Sequence, residues 1–173
     1  MDKVNFLLRL QRERDKFELL LNRVGFARQL TMNGVAGNLS IKDLLADILA
    51  REQFIADRLD DILHGEPYAP CVSHSALDEF QKTHGFPDYE SPLCGKEINH
   101  LVVYKHKNVA LEEIVAQEIA AYANIVAALQ KLTLTQCLDH ALFARVAEHT
   151  IKPYRHASAE INRWLKSIAG ESK

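Results

Sequence analysis

The chain has 173 residues, with 21 Lys or Arg against 23 Asp or Glu and a formal net charge of −2. That length suits one ordinary domain with a sizeable core, so a single domain over 1–173 is expected. The basic residues are dispersed and leave no electrostatic footprint for nucleic acid or an anionic membrane, and neither is expected as a partner.

At the N-terminus, MDKVNFLLRLQRERDKFELLL is broken by charge at every turn, unlike a signal peptide or a membrane span. Cys71, Cys94 and Cys137 are odd in number and far apart, which argues against a disulfide framework or a cysteine zinc site. A cytoplasmic location is the natural expectation.

Helical periodicity dominates. Asp2 can cap a first helix whose stripe is Leu10, Arg14, Phe17, Leu21 and Val24, with Gly25 as its stop. Asn33-Gly34 and Gly37-Asn38 form turns, and Ser40 with Asp43 starts a second helix. Its stripe is Ile41, Leu44, Ile48, Ile55, Leu59 and Ile62, and it closes at His64 and Gly65. From Gly65 to Pro92 the pattern is broken by Pro67, Pro70, Gly85, Pro87 and Pro92, leaving one short helix near Ser75 to Thr83. So long a connection inside a domain points to a crossover, with the second and third helices parallel. The third helix has a first part from Gly95 to Lys107 and a longer part from Leu111, striped by Val115, Ile119, Tyr122, Val126 and Leu129. A polar break over Thr133 to Asp139 precedes a fourth helix with Phe143, Ala147, Thr150, Tyr154, Ala157, Ile161, Trp164 and Ile168 on one face. Gly170 to Lys173 are expected to fray. Pro153 removes a backbone donor inside this last pattern and crowds the carbonyl of His149, so the helix should kink or restart there.

The stretch Gly37 to Leu59, GNLSIKDLLADILAREQFIADRL, resembles the start of the second helix of the DinB/YfiT-like superfamily. Leu39 stands for its usual tryptophan, and Asp47 for its metal-binding histidine. KEINHLVVYKHKNVALEEIVAQ, from Lys96 to Gln117, and HTIKPYRHASAEINRWL, from His149 to Leu165, look like the ClbS/DfsB branch. The resemblance implies an all-α, DinB-like four-helix bundle in up-down-down-up order, in agreement with the crossover read from the residues.

The superfamily's metal site pairs its second-helix histidine with two fourth-helix ligands four apart, which share a face. Here that pair falls at Pro153 and Ala157, neither of which can ligate. Asp47, His149 and His156 form a conceivable substitute for zinc or nickel. The two histidines, however, are roughly 10 Å apart along an ideal helix axis. The ClbS resemblance implies metal-independent hydrolysis, or detoxifying binding, of strained electrophiles such as cyclopropanes. In that reading Asp47 or His156 activates water as a general base, and Tyr154 orients the ligand.

Blander roles stand beside these. Asp47 and Arg51 at i, i+4 suit a solvated ion pair. Tyr154 suits core packing, and Glu52, in the place of the superfamily's acidic residue, suits a solvent-facing salt bridge. Tyr68, Phe86 and Tyr89 read as anchors of the crossover, and Cys71 and Cys94 would be reactive only beside a cation. A proline kink would open a pocket between Tyr154, His156 and the Asp47 region, or would merely fit the helix around the core. The alternative functions are a divalent-metal-dependent thiol transferase of the DinB/YfiT type and a non-enzymatic bundle, ligand-binding or self-associating. The expected partner is a small molecule, and the chain is expected to be a monomer or a homodimer.

Overall fold

A computed structural model describes residues 2–25 and 27–171, and it is all-helical, with no strand among the described residues. Helix α1 spans Lys3–Val24. The Asp2 carboxylate accepts from the Asn5 amide at 2.7 Å to cap it, and Gly25 ends it at φ 88°, a conformation that favours glycine. A single turn, α2 (Ala27–Leu30), leads to α3 (Ile41–Leu63), whose start is the expected capping box of Ser40 and Asp43. The crossover holds α4 (His74–His84), capped by Ser73 and closed by Gly85. Helix α5 (His100–His106) follows an Asn99 cap, and α6 spans Leu111–Lys131. Two short helices come next, α7 (Leu134–Asp139) and α8 (Leu142–His149), before the long α9 (Ile151–Glu171). Among the described residues no helix is long and apolar enough to cross a membrane.

One continuous core runs through the chain, with Phe6, Leu10 and Phe17 from α1, Ile48, Phe54 and Leu59 from α3, Ile125 and Leu129 from α6, and Tyr154 and Ile161 from α9. Helix α3 is its axis: α6 lies along it most extensively, and α5, α8 and α9 also pack on it. Lys42 at the start of α3 donates to the Lys107 carbonyl just before α6. At the other end, Lys3 of α1 donates to the Leu132 carbonyl just after α6, at 2.7 Å. Phe6 packs on Phe143 of α8, and Phe17 stacks on Tyr154 of α9 at 5.5 Å.

Several expectations are corrected. The inner stripe of α6 is Ile114, Glu118, Ala121, Tyr122, Ile125 and Leu129, whereas Val115 is 38% and Ile119 53% exposed. Apolar residues occupy almost every face of this alanine-rich helix, so periodicity alone cannot choose the inner one. Glu118 occupies that inner face because Arg14 of α1 meets it with two parallel hydrogen bonds in the core, one of them 2.6 Å between Nη2 and Oε2. Glu52 is not solvent-facing: it is 0% exposed, because the middle of α3 is covered on nearly all sides. Burial first, then the neighbouring Glu118 charge, push its carboxyl well above the ordinary range. The polar break at 133–139 contains α7, started by a Thr133–Gln136 capping box. The first part of the third helix begins at His100 rather than Gly95, since the Asn99 side chain caps the Val102 amide. The α9 helix extends to Glu171, and the expected fraying of 172–173 lies outside the described residues.

The last arm restarts near Pro153. Thr150 adopts φ −129° and ψ −72°, α8 ends before it, and Pro153 becomes the third residue of α9. In a helix's first turn the amide has no intrahelical acceptor, so proline costs little there. The first bond past it runs from the Tyr154 amide to the Thr150 carbonyl at 3.0 Å.

Candidate functional site

A cleft of about 1000 Å³ opens between the middle of α3, the connection before α5, and the α8–α9 junction. Leu44, Asp47, Ile48 and Arg51 supply one wall. Tyr89, Pro92 and 94–98 supply a second, and His149, Pro153, His156 and Ala157 a third. The restart at Thr150 turns the first residues of α9 toward α3, and residues 47, 48 and 51 share a face because they are three or four apart.

Asp47 is 6% exposed. Its Oδ2 accepts from Arg51 Nε at 3.0 Å, while its Oδ1 has no hydrogen-bond partner among the described residues. The expected Asp47–Arg51 pair therefore forms, but in a cleft wall and not in open solvent. Burial raises the Asp47 carboxyl above its ordinary range, and the Arg51 and His156 charges oppose that rise. The Arg51 guanidinium also lies over the Tyr89 ring at 4.5 Å. His156 lines the same cleft with an exposed side chain, so Asp47 and His156 open onto one space.

Tyr154 is not in the cleft wall. It is 1% exposed and stacked on Phe17 in the core, and its hydroxyl lies in the field of Glu52 and Arg14. A step of one residue turns a helical side chain by about 100°, so with Pro153, His156 and Ala157 facing the cleft Tyr154 faces inward. The proposed ligand-orienting role is corrected to packing. Burial, chiefly, pushes its phenol well above the ordinary range.

His149 is 3% exposed and lines the cleft, with its Nε2 3.9 Å from Glu90 Oε2 and its ring edge-on to Phe54 at 5.2 Å. It is thus directed to Glu90 rather than to Asp47 and His156. Among the described residues no group of three or more His, Cys, Asp and Glu side chains is close enough to hold a metal ion. The three positions at which the resemblance puts ligands, 47, 153 and 157, do share the cleft. With proline and alanine at two of them, the residues present do not make that metal's donor set.

The crossover anchors are as expected, with additions. Phe86 and Tyr89 meet Phe54 edge-on, Phe80 joins them, and the Tyr68 hydroxyl donates to Asp88. Tyr89 is both an anchor and part of the cleft wall. Cys71 and Cys94 are free thiols, and burial, aided by Asp88, pushes both up, with the Arg58 charge near Cys71 and the Arg51 charge near Cys94 not enough to reverse it. The Glu90–Arg145 ion pair, with Arg145 Nε and Nη2 each donating to Glu90 at 2.6 Å, escapes sequence reading because 55 residues separate the partners.

No protein-family model matches the chain, and no curated protein or solved structure matches it.

Proposed function

We propose that this chain is a ClbS/DfsB-like member of the DinB/YfiT-like superfamily, a four-helix bundle in up-down-down-up order that binds and hydrolyses strained electrophiles without a metal. Side-chain pairings support that order. Lys42 with Lys107 and Glu52 with Glu118 match α3 to α6 in the same direction. Lys3 with Leu132 and Arg14 with Glu118 match α1 to α6 in opposite directions. Phe6 with Phe143 and Phe17 with Tyr154 match α1 to the last arm in the same direction. The three positions at which the resemblance puts ligands all line one cleft, which supports the family reading.

The observation that carries the function is Asp47: a buried carboxylate with one oxygen held by Arg51 and the other unpartnered, in the wall of a cleft sized for a small molecule. Arg51 fixes the carboxylate's orientation, and the unpartnered oxygen can position a water or a ligand donor. His156 on the opposing wall is the second polar group for the same space. A cytoplasmic location and a small-molecule partner belong to this reading, and the free cysteines are in keeping with the former.

The test is hydrolysis of a panel of cyclopropyl ketones and epoxides by the purified protein. Turnover unchanged by chelator and reduced about 10²–10⁴-fold in Asp47→Asn is the expected result. Full turnover in both Asp47→Asn and His156→Ala would remove the proposed machinery. Turnover restored only by zinc or nickel would favour the metal-dependent transferase instead.

A further inference from the structure

Next to His149 of the cleft wall stands a polar pair, Glu90 and Arg145, that does not itself line the cleft and has no part in the proposed machinery so far. Arg145 of α8 grips Glu90 of the crossover at 2.6 Å through both Nε and Nη2, so the carboxylate is fixed in place. Burial would raise the Glu90 carboxyl, but His149 and Arg145 outweigh it and hold the group down at about 2, hence ionised. Glu90 Oε2 lies 3.9 Å from His149 Nε2, longer than a hydrogen bond, so it acts on the ring through its charge, which favours the tautomer with the proton on Nε2. The other nitrogen, Nδ1, is buried and has no hydrogen-bond partner among the described residues. Two more orphaned polar atoms belong to residues of the same cleft, Asp47 Oδ1 and the Tyr89 hydroxyl. Buried polar groups are ordinarily paired, and three unpaired ones on residues that line one cavity are in keeping with a site for polar ligand atoms.

We propose that His149 is the cleft's proton acceptor and Glu90, pinned by Arg145, its positioning residue. The inference rests on the hydrolase reading and assigns its base. A carboxylate that holds an imidazole in one tautomer leaves the opposite nitrogen's lone pair for the reaction, and it stabilises the imidazolium that forms. In the step, a water oxygen forms a bond to the electrophilic ring carbon while His149 Nδ1 takes the water proton. The strained carbon–carbon bond breaks, and its electron pair stays on the departing carbon, which takes a proton from solvent. His149 then returns its proton to solvent, so the net change is addition of one water. Asp47 keeps the positioning of water or ligand. Glu90 is the charged group set against the ring's Nε2, and the cleft that the ring lines also carries Asp47 and Arg51 of α3, Glu148 of α8, and Lys152 and His156 of α9 among its charged and titratable groups.

The experiment has two readouts. Nitrogen NMR of imidazole-labelled protein, with His149 assigned by its loss in His149→Gln, reports the tautomer with no need for turnover. A bare Nδ1 in the wild type, and mixed tautomers in Glu90→Gln, are expected. Hydrolysis of a cyclopropyl ketone should fall about 10²–10⁴-fold in His149→Gln and about tenfold in Glu90→Gln, with KM nearly unchanged. A wild-type proton resting on Nδ1, or full turnover in His149→Gln, would overturn the proposal. The wild-type tautomer needs no Glu90 variant, so misfolding of Glu90→Gln does not shield it. If no strained-ring probe is turned over by the wild type, the hydrolase reading fails and takes the catalytic role of His149 with it. A wild type active but equally active in His149→Gln refutes this assignment alone.

Discussion

Glu52 and Glu118 stand at one buried arginine, and the pair can be dissected by a double-mutant cycle. Arg14 is buried and its two-point partner is Glu118, with the half-exposed Glu18 touching Nε at 3.2 Å. Glu52 has neither oxygen hydrogen-bonded among the described residues, and burial with the Glu118 charge raises its carboxyl well above the ordinary range, so the neutral acid is the form the cycle tests for. Glu52→Gln removes no charge and preserves shape, so its cost at pH 7 should lie within ~1 kcal/mol. In Glu118→Gln the charge of Arg14 draws the proton off Glu52, which becomes the substitute carboxylate, and the loss is about 1–3 kcal/mol. The double variant leaves only Glu18 beside a buried guanidinium and should lose about 3–5 kcal/mol, as a broken buried pair does. Equilibrium urea unfolding at pH 7 measures all four proteins, and the double should exceed the sum of the singles by ~2 kcal/mol. Additivity within ~0.5 kcal/mol would refute the reserve role of Glu52. A loss of ~3 kcal/mol in Glu52→Gln alone would show that Glu52 is itself an ionised partner.

The same two kinds of carboxylate give opposite pH dependence. Glu52, raised in the folded state, contributes stability that is present below its unfolded value and lost as pH rises toward the folded one, and Glu52→Gln should flatten that decline. Glu90, lowered from 4.5 to about 2, contributes stability present above its unfolded value and lost as pH falls between those limits. At ~1.4 kcal/mol per unit that is ~3 kcal/mol, so Glu90→Gln should be destabilised by up to that amount at pH 7 and hardly at all at pH 2. Phe54→Ala should cost about 3–5 kcal/mol by thermal or urea unfolding, since Phe54 joins α3 to the crossover rings and to His149. A loss below ~1 kcal/mol would show that the crossover docks by other contacts. Pro153→Ala should change stability by no more than ~1 kcal/mol, because the restart precedes the proline. A gain above ~3 kcal/mol would place the proline inside a helix that wants to be continuous.

Local chemistry was readable in the sequence alone. Asp2, Ser40 with Asp43, Gly25 and Gly85 set helix ends through short-range hydrogen bonds and positive φ, and such rules act within a few residues. The second helix's stripe, the short helix in the crossover and the restart near Pro153 follow from the same local physics. Asp47 and His156 were also legible as groups on one cleft, because helical spacing and the resemblance both place them there. Tertiary packing decided the rest. Whether Glu52 meets water depends on how many helices cover α3, and nothing in its own neighbourhood of sequence records α8 or α9. The inner face of α6 was chosen by Arg14 reaching Glu118 across 104 residues, against a pattern apolar on almost every side. Tyr154 went to the core because the restart at Thr150 fixed the rotation of α9 about its axis, and one residue's rotation separates cleft from core. Glu90 became a partner of His149 only when the crossover folded back on α8, since a contact between segments so far apart depends on the path of the chain and not on local propensity.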